Sequence, residues 1–324
     1  MPRIFITGAA GFIGSHLVDF LLRRGDLVCG YDEFNDFYDR SIKRANLANA
    51  SQSALFSLTE ADICDRPALR AAIGDCRPDV IVHLAARAGV RPSLQDPNLY
   101  HRANVIGTQE VLDACIEFKP SHLVMASSSS VYGGIDDVPF HEGMDISRPI
   151  SPYAATKRMN ELQAHVYHHV YGLRVTLLRF FTVYGPRQRP DMAIHKFTKL
   201  IHEGRPVPMF GDGSTRRDYT YVDDVIDGVV KAIDRPLDYE ILNLGESETT
   251  TLRRLVDLIA AALGKQPNIE QQPMQPGDVE VTYASIEKAR LLLGYDPRTK
   301  IEIGVPAFVN WYLAHKNPTG HSLS

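Results

Sequence analysis

The stretch "RIFITGAAGFIG" at residues 3–14 decides the fold of this chain. "RIFITG" is a short apolar run typical of a buried strand, and "GFIGSHLVDFLLRRG" follows it with apolar residues at helical spacing. Gly8, Gly11 and Gly14 stand at the junction, where glycine permits a tight turn, a close approach of backbone to a pyrophosphate, and tight helix–strand packing. The helix also offers free N–H groups and a positive dipole end to phosphates. The stretch therefore predicts a dinucleotide-binding unit.

An acidic residue after the next strand indicates which dinucleotide binds. "DLVCGYD" ends at Asp32, about twenty residues beyond the glycines, where a carboxylate binds ribose hydroxyls and repels a 2′-phosphate. This position favours NAD over NADP, although Lys43 and Arg44 add positive charge close by. The alternative is that Asp32 is a loop residue or a helix cap.

Strands and helices alternate along the first part of the chain. The strand-like runs are "DLVCGYD", "ALFSLTEADI", "PDVIVHLAA", "SHLVMAS" and "LRVTLLRF", with helical stretches between them. This alternation predicts an α/β fold with a doubly wound, mainly parallel Rossmann sheet. We expect this domain to span 1–180, with a return strand near 240–245. A smaller, mixed α/β substrate domain would span 181–317, and 318–324 would be a flexible tail.

Composition excludes several classes of protein. The chain has 324 residues and a net charge of −4, which leaves no basic surface for nucleic acid. No apolar run is long enough to span a membrane, and the first residues lack the layout of a signal peptide.

The cysteines and histidines predict neither a disulfide framework nor a metal site. Cys29, Cys64, Cys76 and Cys115 are dispersed, without a CxxC pair, which favours a reducing cytoplasm. The 12 histidines include neighbours in "YHHVYG", but adjacent positions on a helix point away from each other. We expect surface or interface histidines there.

A tyrosine and a lysine are spaced for one helical face. "YAATK" places Tyr153 and Lys157 four residues apart. A phenol has a pKa of about 10, and two nearby cations, Lys157 and a nicotinamide ring, would lower it by about three units. The preceding strand ends in the hydroxyl run "SSSSVYG", at the sheet edge where ligands of open α/β folds bind. A chance pair and a polar loop are the alternatives.

Taken together, these motifs identify a family. "TGAAGFIG", Asp32, "HLAA" at 83–86, Asn104, "SSSSVYG", "YAATK" and "RRDYTYVDD" resemble the extended short-chain dehydrogenase/reductase family, and within it the NAD-dependent nucleotide-sugar epimerases. The resemblance runs from residue 2 to about residue 315. It implies a homodimer that pairs helices near 98–118 and 152–171.

The resemblance also implies roles for individual residues. Tyr153 would take the proton from the sugar 4-hydroxyl while the C4 hydride moves to NAD, Lys157 would stabilise the phenolate, and Ser128 would hydrogen-bond the same oxygen. The expected cofactor contacts are Gly8, Gly11, Phe12, Ile13, Gly14, Asp32, Asn35, Asp62, Ile63, Leu84, Ala85, Ala86, Asn104, Tyr153, Lys157 and Phe180.

The serine run bears on the substrate. Family dehydratases carry Asp-Glu after the position of Ser128, and family decarboxylases carry a glutamate at the position of Ser130. Here Ser129 and Ser130 are neutral hydroxyls, which suit an acceptor-only group such as a sugar carboxylate. "DEFNDFYDRSIKRANL" and "RFFTVYGPRQRPDM" look like segments of UDP-glucuronate 4-epimerases. Thr182 stands where UDP-glucose 4-epimerases typically carry asparagine.

Three arginines, a phenylalanine and an aspartate are candidates for binding the nucleotide of a UDP-sugar. Arg217 in "RRDY" is the first candidate for the diphosphate, followed by Arg189 and Arg91, because a guanidinium binds phosphate oxygens bidentately. Phe210 would stack on the uracil and Asp278 would hold a ribose hydroxyl. Each arginine has a solvated surface charge as its alternative.

The leading hypothesis is reversible C4 epimerisation of UDP-glucuronate to UDP-galacturonate with bound NAD. The alternatives are a UDP-glucose 4-epimerase, a UDP-glucuronate decarboxylase, which Ser130 disfavours, and a non-catalytic NAD-binding regulator. Ser128, Tyr153 and Lys157 argue against the regulator, because a protein that only binds NAD has no need for an activated phenolate.

Overall fold

The computed structural model describes residues 1–273 and 279–316. Asp278 and the tail at 318–324 lie outside the described residues.

Thirteen strands are present in the described residues. They are β1 Arg3–Thr7, β2 Leu27–Asp32, β3 Phe56–Glu60, β4 Val80–His83, β5 His122–Ser128, β6 Val175–Phe180, β7 Thr182–Tyr184, β8 Val207–Phe210, β9 Arg216–Arg217, β10 Tyr219–Tyr221, β11 Tyr239–Leu244, β12 Thr250–Thr251 and β13 Ile269–Gln272. Seven form a parallel sheet in the order β11-β6-β5-β4-β1-β2-β3. The predicted fold class is confirmed.

Twelve α-helices accompany these strands in the described ranges. They are α1 Phe12–Arg24, α2 Arg40–Asn46, α3 Arg66–Cys76, α4 Val90–Gln95, α5 Pro97–Tyr100, α6 Gly107–Phe118, α7 Pro152–Tyr171, α8 Ala193–His202, α9 Val222–Asp234, α10 Leu252–Leu263, α11 Glu287–Leu293 and α12 Ile301–Lys316. No helix in this part of the chain is both long and apolar enough to cross a membrane.

Local sequence explains where helix α7, near the site, begins and ends. Helix α7 starts because the Ser151 hydroxyl accepts a 3.1 Å hydrogen bond from Ala154 N–H, and Pro152 occupies the first turn. The helix ends at Gly172, whose φ of 68° suits glycine. The predicted helix near 98–118 comprises α5, the π-helical turn His101–Ile106 and α6.

The second lobe is small and mixed. Strands β8 and β13 pair in parallel, β9 and β12 pair antiparallel, and β7 pairs with β10. Strand β11 comes late in the chain, yet it pairs with β6 at the edge of the main sheet. The chain therefore returns to the first lobe after it has entered the second.

One expectation from the cysteines is wrong. Cys29 and Cys76 form a disulfide, with their Cα atoms 6.3 Å apart across a sequence separation of 47 residues. Cys29 lies on β2 and Cys76 ends α3, and both pack against the apolar cluster on that face of the sheet. Sequence spacing did not indicate the pair because the β-α crossover between them creates the proximity.

Candidate active site

The candidate site lies where the strand order of the main sheet reverses. Strands β1 and β4 are neighbours, and their chain connections run to opposite sides of the sheet. In open α/β folds such a switch point leaves a crevice at the carboxyl ends of the strands. A cleft opens there, lined by residues from both lobes.

The glycine loop forms one wall of this cleft. Gly8 has a φ of 74°, and a Cβ built on it would lie 2.8 Å from the backbone nitrogen of Ala85. A Cβ on Gly14 would overlap the carbonyl oxygen of Gly8. Since side chains are excluded at both positions, the backbone and the N-terminus of α1 remain open to a diphosphate. The loop thus fits the pyrophosphate of NAD.

Asp32 ends β2 inside the cleft. Its two carboxylate oxygens accept hydrogen bonds from Ala10 N–H at 3.0 Å and Phe34 N–H at 2.9 Å. Burial raises the pKa of Asp32, while those N–H groups and Lys43 act in the opposite direction. The carboxylate is held in a fixed orientation and keeps further lone pairs for ribose hydroxyls.

Most of the predicted cofactor contacts meet in this cleft. Those that line it are Gly8, Gly11, Phe12, Ile13, Gly14, Asp32, Asn35, Asp62, Ile63, Leu84, Ala85, Ala86, Tyr153, Lys157 and Phe180. They come from the segments that follow β1, β2, β3 and β4, from helix α7 and from the end of β6, which only the folded sheet brings together.

Asn104 has a different place. It is fully buried in the π-helical turn, where its side-chain oxygen accepts from Arg87 N–H at 2.7 Å and its amide donates to Arg87 C=O at 3.0 Å. The amide also donates to Thr156 on α7 at 3.0 Å. Asn104 therefore fixes the loop that follows β4.

Arg87 is a cleft residue that the sequence analysis missed. It lines the cleft, and its guanidinium lies 3.8 Å from Glu33. The Nε atom is buried without a hydrogen-bond partner among the described residues. A buried donor without a partner is costly, so Arg87 is suited to an anionic ligand. Its signal was its position directly after "HLAA".

Ser128, Tyr153 and Lys157 come together at the other end of the cleft. Ser128 ends β5, and Tyr153 and Lys157 lie one helical turn apart on α7. All three line the cleft, although each is at most 9% exposed. The ammonium of Lys157 donates to Ala126 C=O at 2.9 Å.

Burial shifts the ionisation of both Tyr153 and Lys157. It raises the pKa of Tyr153, against the nearby Ser128 hydroxyl and the charge of Arg189. Burial lowers the pKa of Lys157 to about 8, against the attraction of Glu161. The protein's own charges thus do not lower the pKa of the phenol, because its desolvation outweighs them.

The four serines do not share one role. Ser127 donates to the buried carboxylate of Glu161 at 2.7 Å. Ser128 accepts a 3.1 Å hydrogen bond from Ser130 N–H and donates to the Ser130 hydroxyl at 3.1 Å. Ser129 and Ser130 begin the 3₁₀ turn Ser129–Tyr132 and are partly exposed.

Arg189 lies at the Tyr153 end of the cleft. Its guanidinium pairs with Asp191, with an Nη2–Oδ2 distance of 2.6 Å, and lies 5.0 Å from the Phe37 ring centre. Its charge affects the pKa of Tyr153. Arg189 is therefore placed for the sugar end of a ligand.

The other substrate candidates lie in two groups. Arg91 on α4 stacks over the ring of Phe210 on β8, with a guanidinium–centroid distance of 5.5 Å. Arg217 on β9 donates to Arg216 C=O at 2.9 Å and to Glu280 C=O at 3.2 Å. Thr182 is the first residue of β7, and its N–H donates to the C=O of Asp218 at 3.1 Å. Asp218 follows Arg217 directly in the chain.

Comparison with known families decides the family. The model of the NAD dependent epimerase/dehydratase family matches residues 4–245. The chain belongs to this family. A relative from Thermodesulfobacterium geofontis (strain OPF15), described as UDP-glucuronate 4-epimerase, is 42% identical over 312 residues, which cover 96% of each chain.

Solved structures show the same similarity. The UDP-glucuronic acid 4-epimerase from Bacillus cereus, in complex with UDP-glucuronic acid and NAD, superposes with a TM-score of 0.91 at 36% identity, covering 96% of this chain and 99% of that one. The UDP-glucose 4-epimerase from Thermotoga maritima, solved with UDP-glucose, gives a TM-score of 0.88 at 31% identity, covering 97% and 99%. The predicted family membership is confirmed.

Proposed function

We propose that this protein interconverts UDP-glucuronate and UDP-galacturonate by epimerisation at C4, with NAD as its bound cofactor. The observation that carries the proposal is Ser128 beside Tyr153 and Lys157 in the lining of a cleft built for a dinucleotide, followed in the 3₁₀ turn by the neutral residues Ser129 and Ser130. The relatives described as UDP-glucuronate 4-epimerases support it.

The residues of the cleft fit NAD along its length. The Gly8–Gly14 loop would hold the pyrophosphate, Asp32 the adenosine ribose, and Lys157 the hydroxyls near the nicotinamide. Arg87 adds a cation to this set and would neutralise phosphate charge. When bound, NAD supplies the acceptor and donor for the hydride at C4.

The protein's own groups handle the proton. Tyr153 as phenolate would accept the proton of the sugar 4-hydroxyl and return it after the ketone has turned. Ser128 would hydrogen-bond the same oxygen, since it lines the cleft together with Tyr153. Because burial raises the pKa of Tyr153, the ammonium of Lys157 and the positive cofactor ring must together favour the phenolate.

The serine turn would bind the C6 carboxylate. Next to a 4-ketone this group belongs to a β-keto acid, which loses carbon dioxide most readily when the C5–C6 bond aligns with the ketone π system. The hydroxyls of Ser129 and Ser130 would donate to the carboxylate and hold it out of that alignment. Arg189, at the same end of the cleft, would add a charged contact.

The uridine diphosphate would lie toward the second lobe, which we propose spans 181–317. Arg217 and Arg91 remain its phosphate candidates, and Phe210 its stacking candidate, although Phe210 already stacks with Arg91. Thr182 lies beside Arg217 through the hydrogen bond to Asp218 and would face the sugar.

An NMR time course tests the function directly. Purified protein is incubated with UDP-glucuronate, and separately with UDP-glucose, without added NAD. We expect UDP-galacturonate to form while UDP-glucose stays unchanged. Conversion of UDP-glucose alone would make the enzyme a neutral-hexose epimerase, and a UDP-pentose with carbon dioxide would make it a decarboxylase.

A homodimer is proposed from the apolar face of α7. Met159, Leu162, Val166 and Val170 are 41%, 49%, 52% and 59% exposed and recur at helical spacing on one face. Ile106, near the start of α6, is 47% exposed. Light scattering should give twice the chain mass, and Leu162→Glu should give the monomer.

The compartment stays a prediction. A cytoplasmic location was expected from the dispersed cysteines, and the Cys29–Cys76 disulfide weighs against that reasoning. Cell fractionation with an antibody to the protein would test it.

A further inference from the structure

A buried ion pair lies next to the group formed by Ser128, Tyr153 and Lys157. Glu161 on α7 and Arg179 on β6 are each 1% exposed. Arg179 donates from Nε and Nη2 to the two carboxylate oxygens of Glu161, at 2.8 and 2.9 Å. Its third nitrogen donates to the hydroxyl of Tyr132 at 2.7 Å. A charge buried to this extent is tolerated only when it is paired and hydrogen-bonded.

The pair is linked to both halves of the serine turn. Glu161 accepts from Ser127, the residue before catalytic Ser128, at 2.7 Å. Tyr132, which ends the 3₁₀ turn, donates to Asn243 at 2.8 Å, and the Asn243 amide donates to Phe140 C=O at 2.9 Å. The turn is therefore attached at both ends to one polar network.

Glu161 also lies one helical turn after Lys157, so its carboxylate attracts the ammonium. The other groups that face Lys157 offer no equal compensation. His83 on β4 is held neutral, since burial lowers its pKa to about 3, and Tyr153 precedes it on α7. Ala126 on β5 contributes only its carbonyl dipole.

The groups that face Glu161 are cationic or neutral. Arg179 on β6 and Arg158 on α7, the latter 3.2 Å away, are the cations. Ser127 on β5 and Tyr239 on β11 are the neutral donors, and Tyr239 reaches the Glu161 carbonyl at 3.2 Å. The negative charge nearest Lys157 in this cluster is thus that of Glu161.

We propose that Glu161 is a positioning residue for the epimerisation: its buried carboxylate keeps Lys157 in the ammonium form and holds Ser127, and with it the catalytic Ser128, in register. Arg179 allows the carboxylate to stay ionised there. The catalytic part of this inference rests on the proposed function, whereas the effect on the charge of Lys157 does not.

Titration of Lys157 in the NAD-loaded protein tests the charge effect without any turnover. The protein is labelled with ¹³C at the lysine ε carbons, and the Lys157 signal is assigned by its loss in Lys157→Met. In Glu161→Gln the midpoint should fall by about one pH unit or more, because an attraction is lost and the charge of Arg179 is uncovered. In Glu161→Asp it should stay near the wild-type value.

Two further variants separate charge from folding. The double variant Glu161→Gln/Arg179→Gln removes both charges, so the Lys157 midpoint should fall less than in Glu161→Gln. The double variant also provides a second measurement if Glu161→Gln folds poorly. Tyr239→Phe, which removes only a contact to the Glu161 backbone, should leave the midpoint unchanged. The alkaline limb of kcat for UDP-glucuronate should move with the NMR midpoint in each variant.

A wild-type midpoint in both Glu161→Gln and the double variant would overturn the proposal. A shift of equal size in Tyr239→Phe would also overturn it, because it would show a structural effect and not one of charge. If the midpoints shift as expected but UDP-glucuronate is not epimerised by the wild type, the proposed function fails and the charge relation between Glu161 and Lys157 stands.

Discussion

Replacing Arg87 with glutamine should weaken the binding of NAD. The guanidinium lines the cofactor cleft with a buried Nε that has no partner in the described residues, so a phosphate there would gain a charged hydrogen bond at little cost in ordering. Hydrogen bonds to charged groups contribute about 1.5–3 kcal/mol, which corresponds to a rise of roughly 10- to 150-fold in Kd. Asn104 holds the Arg87 backbone from both sides, so the loop should keep its shape in the variant.

Calorimetric titration of NAD into cofactor-stripped protein measures this effect. Arg87→Lys should recover part of the affinity, because it restores the charge but not the planar fork. Arg254→Gln is the matched control, since Arg254 is exposed, pairs with Glu302 at 3.3 Å and does not line the cleft. A Kd for Arg87→Gln within threefold of wild type, or equal to that of Arg254→Gln, would refute the role of Arg87.

Three further predictions concern the loop, the disulfide and a second buried carboxylate. Gly14→Ala should abolish NAD binding, because its Cβ would overlap the Gly8 carbonyl; normal NAD content after purification would contradict this. Removing the Cys29–Cys76 disulfide by reduction should cost about 4 kcal/mol of stability for a closed loop of 47 residues. Reductant should therefore lower the Tm of the wild type and leave the Tm of Cys29→Ser unchanged. Four free thiols, counted in protein unfolded without reductant, would rule the bond out. Burial raises the pKa of Glu246 from 4.5 to about 7, against its pairing with Lys300. The folded state therefore binds the proton more tightly than the unfolded state, and the stability of the fold falls as the pH rises from 4.5 to about 7. The Tm of Glu246→Gln relative to wild type should accordingly increase from pH 5 to pH 8, and a constant difference would contradict it.

Local patterns were sufficient for the parts of the fold that depend on neighbouring residues. The glycine loop, the helix at 152–171 and the parallel sheet all follow from periodicity, caps and turns, which act within a few residues. The family motifs also named residues of one cleft, and the roles of those residues stay predictions until binding is measured.

Other contacts could not be predicted because they join distant parts of the chain. The Cys29–Cys76 disulfide depends on the packing of α3 beside β2, and dispersed cysteines carry no sign of it. The raised pKa of Tyr153 depends on burial, which the Y-x-x-x-K spacing does not report. The sequence does not distinguish Arg87 from other charged residues that follow a strand, whereas the fold buries its Nε in the cleft.

The sequence by itself determined the class of fold, the family and the cofactor, because these depend on glycine spacing and on which side chains stand at strand ends. Only the tertiary structure decided which partner each serine meets: Ser127 donates to the buried Glu161–Arg179 pair, whereas Ser128 hydrogen-bonds with Ser130 and lines the cleft with Tyr153. The physical reason is that successive side chains of a strand point to opposite faces, and what covers each face is determined by helices and strands far away in the chain.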